Sequence, residues 1–242
     1  MKIKELSIIF PIYNEQDRLR KNLLKIANLF QTFRSTNIEI VLVNDGSTDN
    51  THDLINKFLK SLNYKNKKRV KYINYNNNKG KGYALKQGIL KSKMKWKLTC
   101  DIDFSAHPVE VKKWFKYNYI KNSKSCYFAS RSLKKSNVKY KHHRYYLGNI
   151  FNYFVSIIFN LKIGDTQCGF KLYHSSYARK IFYKMSEFRY SHDVEIAVLL
   201  RKNFIKVYEL PIKWIHRDKS KLNILTDGLN MISKLIFIRL RH

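Results

Sequence analysis

Three short segments carry oxygen and charge chemistry in a pattern worth reading: Asp101-Ile102-Asp103, Asn44-Asp45-Gly46-Ser47-Thr48-Asp49 and Pro11-Ile12-Tyr13-Asn14-Glu15. Two carboxylates on alternate residues, close to one another, suit a hard divalent cation such as Mg²⁺ or Mn²⁺ held through oxygen, and such a cation in turn holds a diphosphate. Arg131, in Ala129-Ser130-Arg131, and Arg144, which ends a basic stretch with Lys139, Lys141, His142 and His143, offer guanidinium forks that match phosphate oxygens two at a time. Asp193, in Ser191-His192-Asp193-Val194-Glu195, is a carboxylate placed either to take a proton or to cap a helix. Each segment also has a plain structural reading. Asn-Asp-Gly-Ser-Thr-Asp-Asn-Thr suits a turn followed by an N-cap, an Asp-x-Asp suits a solvated strand end, and a run of Lys and His suits a solvated loop. The paired His142-His143 lack partner ligands at metal-binding spacing, and His192 reads as a loop residue.

The elements that must position these groups alternate regularly in the first half. Apolar runs at Leu6–Pro11, Ile38–Val43, Val70–Tyr75 and Trp96–Cys100 read as strands, and Cys126–Ala129 as a fifth. Helical spacing covers Glu15–Phe33 (Leu19, Leu23, Ile26, Leu29, Phe30), Thr51–Leu62 and Tyr83–Lys91, with a later helix over Ile196–Leu200. Short strands without polar alternation, separated by helices, are parallel strands buried on both faces. Right-handed crossovers then give an α/β, doubly wound and mostly parallel sheet, whose ligands sit at the C-terminal ends of its strands. The three segments fall at those ends, in order. The second half is less regular, without internal repeat or Pro/Gly-rich linker, so residues 1–242 read as a single domain.

Composition narrows the partners. The 242 residues hold 48 basic against 17 acidic side chains, a formal charge of +31, with 44% hydrophobic residues. That content supports a sizeable core, and the charge points to polyanions: nucleic acid, an anionic membrane surface or a phosphorylated substrate. A nucleic-acid-binding domain is disfavoured, because no RNA- or DNA-binding motif is visible and the aromatics concentrate in helical segments. Cys100, Cys126 and Cys168 are an odd set without close spacing, which argues against a disulfide framework or structural zinc. The N-terminus lacks an apolar signal core, and the longest uncharged run, Tyr145–Leu161, is shorter than the about 20 apolar residues of a spanning helix.

The ordered series SIIFPIYNE, VLVNDGSTDNT, NNNKGKGYALKQGI, DID, SRS and GDTQCGFKLY resembles glycosyltransferase family 2, with its GT-A fold. Within that family GDTQCGFKLY, SHDVEIAVL, VYELPIKW and the C-terminal SKLNILTDGLNMISKLIFIRLR are similar to the dolichyl-phosphate β-glucosyltransferases, and bacterial polyprenyl-phosphate sugar transferases share most of these features. The resemblance implies that Pro11, Tyr13, Glu15 and Asp45 surround the nucleotide, with Lys81 near it. It implies that Asp101 and Asp103 line the donor diphosphate as metal ligands, Asp103 the main one. The position where mannosyl relatives often carry Gln is Ser105 here. Arg131 and Arg144 would hold the acceptor phosphate, Asp193 would be the candidate base, and Asp165, Gln167 and Arg189 would be further cleft residues, while Cys168 packs.

The implied activity is inverting, metal-dependent transfer of a hexose, glucose from UDP-glucose, to a polyprenyl or dolichyl phosphate. A GDP-mannose-dependent transferase to the same lipid, or a polysaccharide glycosyltransferase, stands as the alternative. Two amphipathic stretches, about 145–161 and 225–240, are expected to lie in a membrane surface. In the first, Asn149, Asn152, Ser156 and Asn160 form the polar stripe. In the second, Leu225, Leu229, Ile232, Leu235 and Ile236 share a side, with Lys234, Arg239 and Arg241 around it. Peripheral, monotopic attachment to the cytoplasmic face of a membrane follows from this reading.

Overall fold

A computed structural model describes residues 2–139, 142–189, 191–217 and 224–242, apart from the side chains of 142–150 and 224–232. In chain order the elements are β1 (Glu5–Ile12), α1 (Gln16–Thr32), β2 (Asn37–Asp45), α2 (Thr51–Ser61), α3 (Tyr64–Lys67), β3 (Val70–Tyr75), α4 (Lys81–Lys91), β4 (Trp96–Thr99) and α5 (Glu110–Lys116). The second half continues with β5 (Cys126–Ala129), β6 (Asn137–Lys139), α6 (His142–Phe159), β7 (Lys171–His174), α7 (Ser175–Lys184), α8 (His192–Lys202), β8 (Val207–Leu210), β9 (Lys213–Ile215) and α9 (Ile224–Arg241).

The main sheet has seven strands in the order β3-β2-β1-β4-β7-β5-β8. β1, β2, β3 and β4 pair in parallel, as do β5 and β8, while β7 runs antiparallel between β4 and β5. A second, two-stranded sheet joins β6 to β9. The two-residue period of the strands explains why both faces are apolar. Leu6, Ile8, Phe10 and Ile12 of β1 enter one core with Leu19, Ile26 and Leu29 of α1, and Ile9 enters the other with Ala84, Leu85 and Ile89 of α4. Ile40 and Leu42 against Val41 and Val43 divide β2 in the same way. The strand β7, Lys171-Leu172-Tyr173-His174, is not among the strands expected from the apolar runs; its backbone fills the place between β4 and β5.

The two amphipathic helices differ from expectation in which residues face out. Val155 and Phe159 of α6 and Leu235 and Ile238 of α9 are buried in the second core, while Tyr153, Phe154 and Ile157, and Ile236, Phe237 and Leu240, are exposed. Asn152, expected in the polar stripe, accepts hydrogen bonds from the Thr166 backbone N–H and hydroxyl and so turns toward the protein. Leu235 and Ile236 do not share a face, because adjacent helical residues diverge by about 100°. The side chains of Leu225, Leu229 and Ile232 lie outside the described residues. Among the described residues no helix is long and apolar enough to cross a membrane.

One buried cation yields a stability prediction. Lys97 on β4 is 1% exposed and donates to the Ser92 carbonyl at 3.0 Å and hydroxyl at 2.6 Å. Burial, with Arg179 and Lys71 adding repulsion, pushes its pKa down to about 8, against the attraction of Glu39. The folded chain therefore holds this proton more weakly than the unfolded chain, so between about 8 and the ordinary value of 10.5 the unfolded chain carries more protons and stability rises with pH. The penalty is fully present below that window. In urea titrations the stability difference between Lys97→Met and wild type should shift in favour of wild type by on the order of 3 kcal/mol as pH is raised from about 7 to 10.5. A difference independent of pH would refute this role for the burial.

Candidate active site

The ends of β1, β2 and β4 open into a cleft of about 540 Å³ lined by residues of all three predicted segments. The first two loops are stitched together by their own polar atoms. Asn14, at φ +50°, donates its backbone N–H to Ser47 Oγ at 2.9 Å, and its side-chain oxygen accepts from the Thr48 backbone at 2.8 Å. Asp49 accepts from the Gln16 and Thr51 backbones, and Thr51 Oγ1 accepts from Glu15. Much of the Asn-Asp-Gly-Ser-Thr-Asp-Asn-Thr motif thus builds the loop pair, and Pro11, Tyr13 and Glu15 line the cleft. Glu15 also accepts both carboxylate bonds of Arg18, at 2.9 and 3.1 Å.

Asp45 belongs to the cleft wall, but its carboxylate faces protein. It accepts from Asn78 Nδ2 at 2.8 Å and from the Lys79 and Gly80 backbones at 2.9 and 2.8 Å. This shapes the turn that aims Lys81. Gly80 stands at φ +102°, and a Cβ there would lie 2.3 Å from the Phe188 carbonyl oxygen, so only glycine lets this turn press against the 186–189 loop. Gly82 donates to that same carbonyl at 2.8 Å, and Arg189, exposed at the cleft, donates to Asn78 at 2.7 Å.

At the cleft floor Lys81 Nζ lies 2.5 Å from Asp101 Oδ1. Burial pushes the Lys81 ammonium down, but the surrounding Asp101, Asp193 and Asp103 carboxylates outweigh it and hold the proton more tightly than usual. Asp101 needs room on its other side: a Cβ on Gly169 would come within 2.5 Å of Asp101 Oδ2. Asp103 accepts from the Ser105 backbone at 2.8 Å and from its hydroxyl at 2.9 Å. Ser105, at the position where mannosyl relatives often carry Gln, thus orients the carboxylate of Asp103.

The opposite wall is set by a buried acid. Arg131 donates its backbone N–H and Nε to Asp165 Oδ2, at 2.9 and 2.7 Å, and Nη2 to Asp165 Oδ1 at 2.8 Å. Burial pushes the Asp165 carboxyl up, and the guanidinium more than offsets this, leaving it below the usual carboxylate range. Asp165, 3% exposed, anchors Arg131 and does not line the cleft; its expected place there is corrected. Arg131 does line it, its guanidinium carbon 5.4 Å from the centre of the Trp214 ring.

Neither Gln167 nor Asp193 lines the cleft. Gln167 is half-buried beside Thr166, and Asp193, 5% exposed, lies behind the wall with Lys171 Nζ at 2.5 Å. His192, expected in a loop, is instead the first residue of α8 and 2% exposed. Cys168 is buried, and burial pushes its thiol up to about 11, as befits a packing residue. The Arg144 side chain lies outside the described residues. Trp214, His216 and Arg217 also line the cleft and were missed. The signal was at hand: Trp214 closes the Glu-Leu-Pro-Ile-Lys-Trp motif, and the β6–β9 sheet carries it over the site.

The same fold is met in solved structures of other proteins. Glucosyl-3-phosphoglycerate synthase of Mycobacterium tuberculosis, crystallised with Mn²⁺, UDP and glucosyl-3-phosphoglycerate, superposes with a TM-score of 0.66 at 14% identity, covering 98% of this chain and 79% of that one. A mannosyltransferase of Pyrobaculum calidifontis, crystallised with GDP-mannose and Mn²⁺, gives 0.65 at 14% identity over 100% and 66%. The fold is of the GT-A type. In sequence, the dolichyl-phosphate beta-glucosyltransferases of Dictyostelium discoideum and Saccharomyces cerevisiae are 34% and 30% identical, each covering 98% of this chain, with 74% and 75% of their own lengths matched. The human protein of the same name is 29% identical over 99% of this chain and 76% of its own. The model of glycosyl transferase family 2 matches residues 7–182, which hold β2 to β5, β7, Asp101, Asp103 and Arg131, and the chain is therefore a member of that family and a glycosyltransferase.

Proposed function

We propose that this enzyme transfers glucose from UDP-glucose to the phosphate of a dolichyl or other polyprenyl lipid, inverting the anomeric carbon. The observation that carries this reading is that one cleft is lined both by the carboxylates Asp101 and Asp103 and by the basic side chains Arg131, Arg189, His216 and Arg217. Such a cleft suits a diphosphate donor bound through a cation on one side and an anionic acceptor on the other. The relatives' names supply the lipid and the sugar.

The residues present fit a divalent ion. Asp101 already draws a cation, the Lys81 ammonium, to one of its oxygens, and Asp103 offers hard oxygens at the same floor. Among the described residues no group of three or more Asp, Glu, His or Cys able to hold a metal forms, so diphosphate oxygens and water would complete the shell, as is usual for Mg²⁺ and open to Mn²⁺. When bound, that ion neutralises the charge on the departing nucleoside diphosphate. The protein's own part is then positional. Pro11, Tyr13 and Glu15 hold the nucleotide, Lys81 adds charge beside the diphosphate, and Arg131, fixed by Asp165, holds the acceptor phosphate. Arg144 would join the acceptor side, whereas Gln167, beside Thr166 and away from the cleft lining, would not touch the donor. A phosphate monoester has its second pKa near about 6, so it is already largely dianionic and attacks without a strong base. Asp193, held by Lys171, need not remove a proton.

The exposed Tyr153, Phe154 and Ile157 of α6 and Ile236, Phe237 and Leu240 of α9, with Lys234, Arg239 and Arg241 nearby, support peripheral binding to the cytoplasmic face of a membrane. The test is a panel of radiolabelled UDP-glucose, GDP-mannose and UDP-N-acetylglucosamine with polyprenyl phosphate in detergent, with Mg²⁺ or Mn²⁺ and then with chelator. Chelator-sensitive lipid label from UDP-glucose alone is expected. Label from GDP-mannose would move the enzyme to the mannosyl reaction, and no lipid label from any donor would make a glycan hydroxyl the acceptor.

A further inference from the structure

Behind the cleft, β7 and α8 bury a charge cluster that the transfer described above leaves unexplained. Lys171 is 1% exposed, and its ammonium lies 2.5 Å from Asp193 Oδ1 and 4.8 Å from the centre of the Phe128 ring. A lysine buried this deeply is costly unless paired, and removal of one member leaves the other uncompensated. His192 Nδ1 lies 2.5 Å from the Arg189 carbonyl oxygen, so Nδ1 carries the donated hydrogen. Its Nε2 is then a bare lone pair, buried, without a hydrogen-bond partner and 3.4 Å from the same Asp193 Oδ1. A lone pair facing a carboxylate is tolerable only because Lys171 already supplies that carboxylate's positive charge. Burial keeps the His192 imidazole below its ordinary pKa. The groups facing Asp193 are Lys171 and Tyr173 from β7, Lys81 from α4 and His192 from its own helix.

We propose that Lys171 is a positioning residue, which fixes Asp193 as a permanent carboxylate behind the Lys81–Asp101 pair, and that His192 is the reserve cation site of the same cluster. This inference rests on the reading of the cleft as a hexosyl-transfer site and adds to it a charge lock on its back wall. Asp193 reaches the site through its field on Lys81, which lies on Asp101. With Lys171 in place His192 stays neutral. Without it, His192 gains its second proton, and the imidazolium Nε2–H takes the place of the ammonium at Oδ1.

The experiment compares wild type, Lys171→Met and Lys171→Met/His192→Gln in the UDP-glucose and polyprenyl phosphate assay from pH 6 to 8. At pH 8 Lys171→Met should lose about 100-fold in kcat while the KM for UDP-glucose stays within about threefold, because the ground-state nucleotide contacts are elsewhere. On lowering the pH to 6 the variant should regain about tenfold relative to wild type, and the double variant should regain nothing. A Lys171→Met profile parallel to wild type, or a kcat within twofold of it, would overturn the proposal. If Lys171→Met does not fold, ¹⁵N NMR of imidazole-labelled wild type at pH 7, assigned with His192→Gln, decides: a neutral, Nδ1-protonated His192 supports the lock, and a charged His192 overturns it. Wild type runs in every series, so absence of lipid transfer by wild type counts against the transfer reading, whereas transfer by wild type with an unaltered variant counts against the lock alone.

Discussion

Asp103→Asn should lower turnover by about a thousandfold and abolish the response to added Mg²⁺ or Mn²⁺, while leaving the protein folded. The amide keeps the volume and can still accept from Ser105, whose backbone and hydroxyl both bond the native carboxylate. It loses the negative charge with which the floor would hold a divalent ion, and with it several kcal/mol of leaving-group stabilisation, each factor of ten being about 1.4 kcal/mol. Flotation with anionic liposomes should be unchanged, since Asp103 lies in the cleft and the exposed apolar residues lie on α6 and α9. Phe237→Ser with Leu240→Ser should show the opposite pattern, with weaker flotation and intact turnover on a detergent-dispersed acceptor. Retention of a tenth or more of wild-type turnover by Asp103→Asn would remove Asp103 from the role of metal ligand.

Arg131→Ala should destabilise the fold by about 3–5 kcal/mol at neutral pH, the cost of leaving one partner of a buried pair alone. Asp165 is 3% exposed and takes three bonds from Arg131, two of them from the guanidinium, which the truncation removes. The pH dependence gives the sign. In wild type the Asp165 pKa is depressed, so its contribution is fully present above the unfolded value of about 3.9 and is lost as pH falls through the folded value. In Arg131→Ala burial loses its strongest counterweight, with only the backbone N–H groups of residues 131 and 167 and the Lys171 charge still opposing it, so the Asp165 carboxyl moves upward and acidification relieves part of the penalty. The stability gap between the two proteins should therefore narrow as pH falls toward about 4 in urea titrations. Adding Asp165→Asn should recover part of the loss at pH 7 without restoring transfer. A gap below about 1 kcal/mol at pH 7 would show that water, and not Arg131, carries the Asp165 charge.

The strands β1 to β4 and the loops that follow them were legible because their signal is local. Uninterrupted apolar runs of four to eight residues demand burial on both faces, and the Gly, Asn and Asp that follow mark where each strand must stop. From that alone the acidic floor at Asp101 and Asp103, and the loop residues Pro11, Tyr13 and Glu15, were placed on the same edge of one sheet. What those residues do there depended on partners distant in sequence. Asp45 reads as a nucleotide ligand, yet its oxygens are taken by a turn some 33 to 35 residues later. Asp165 reads as a cleft residue and becomes the anchor of Arg131, 34 residues earlier. Trp214 and His216 reach the cleft because β9 pairs with β6, a pairing of three residues a side that no periodicity announces.

The sequence by itself determined that this chain is an α/β protein with an acidic, phosphate-suited edge, since type and spacing along a strand and its loop specify burial and ligand chemistry without reference to the rest of the chain. Only the tertiary structure decided which charges are spent on one another. Insertion of β7 antiparallel between β4 and β5 places Lys171 against Asp193 and Gly169 against Asp101. A charge buried in a medium of low polarity must find its counterion wherever the fold brings one within reach, and that choice is made by packing across the sheet.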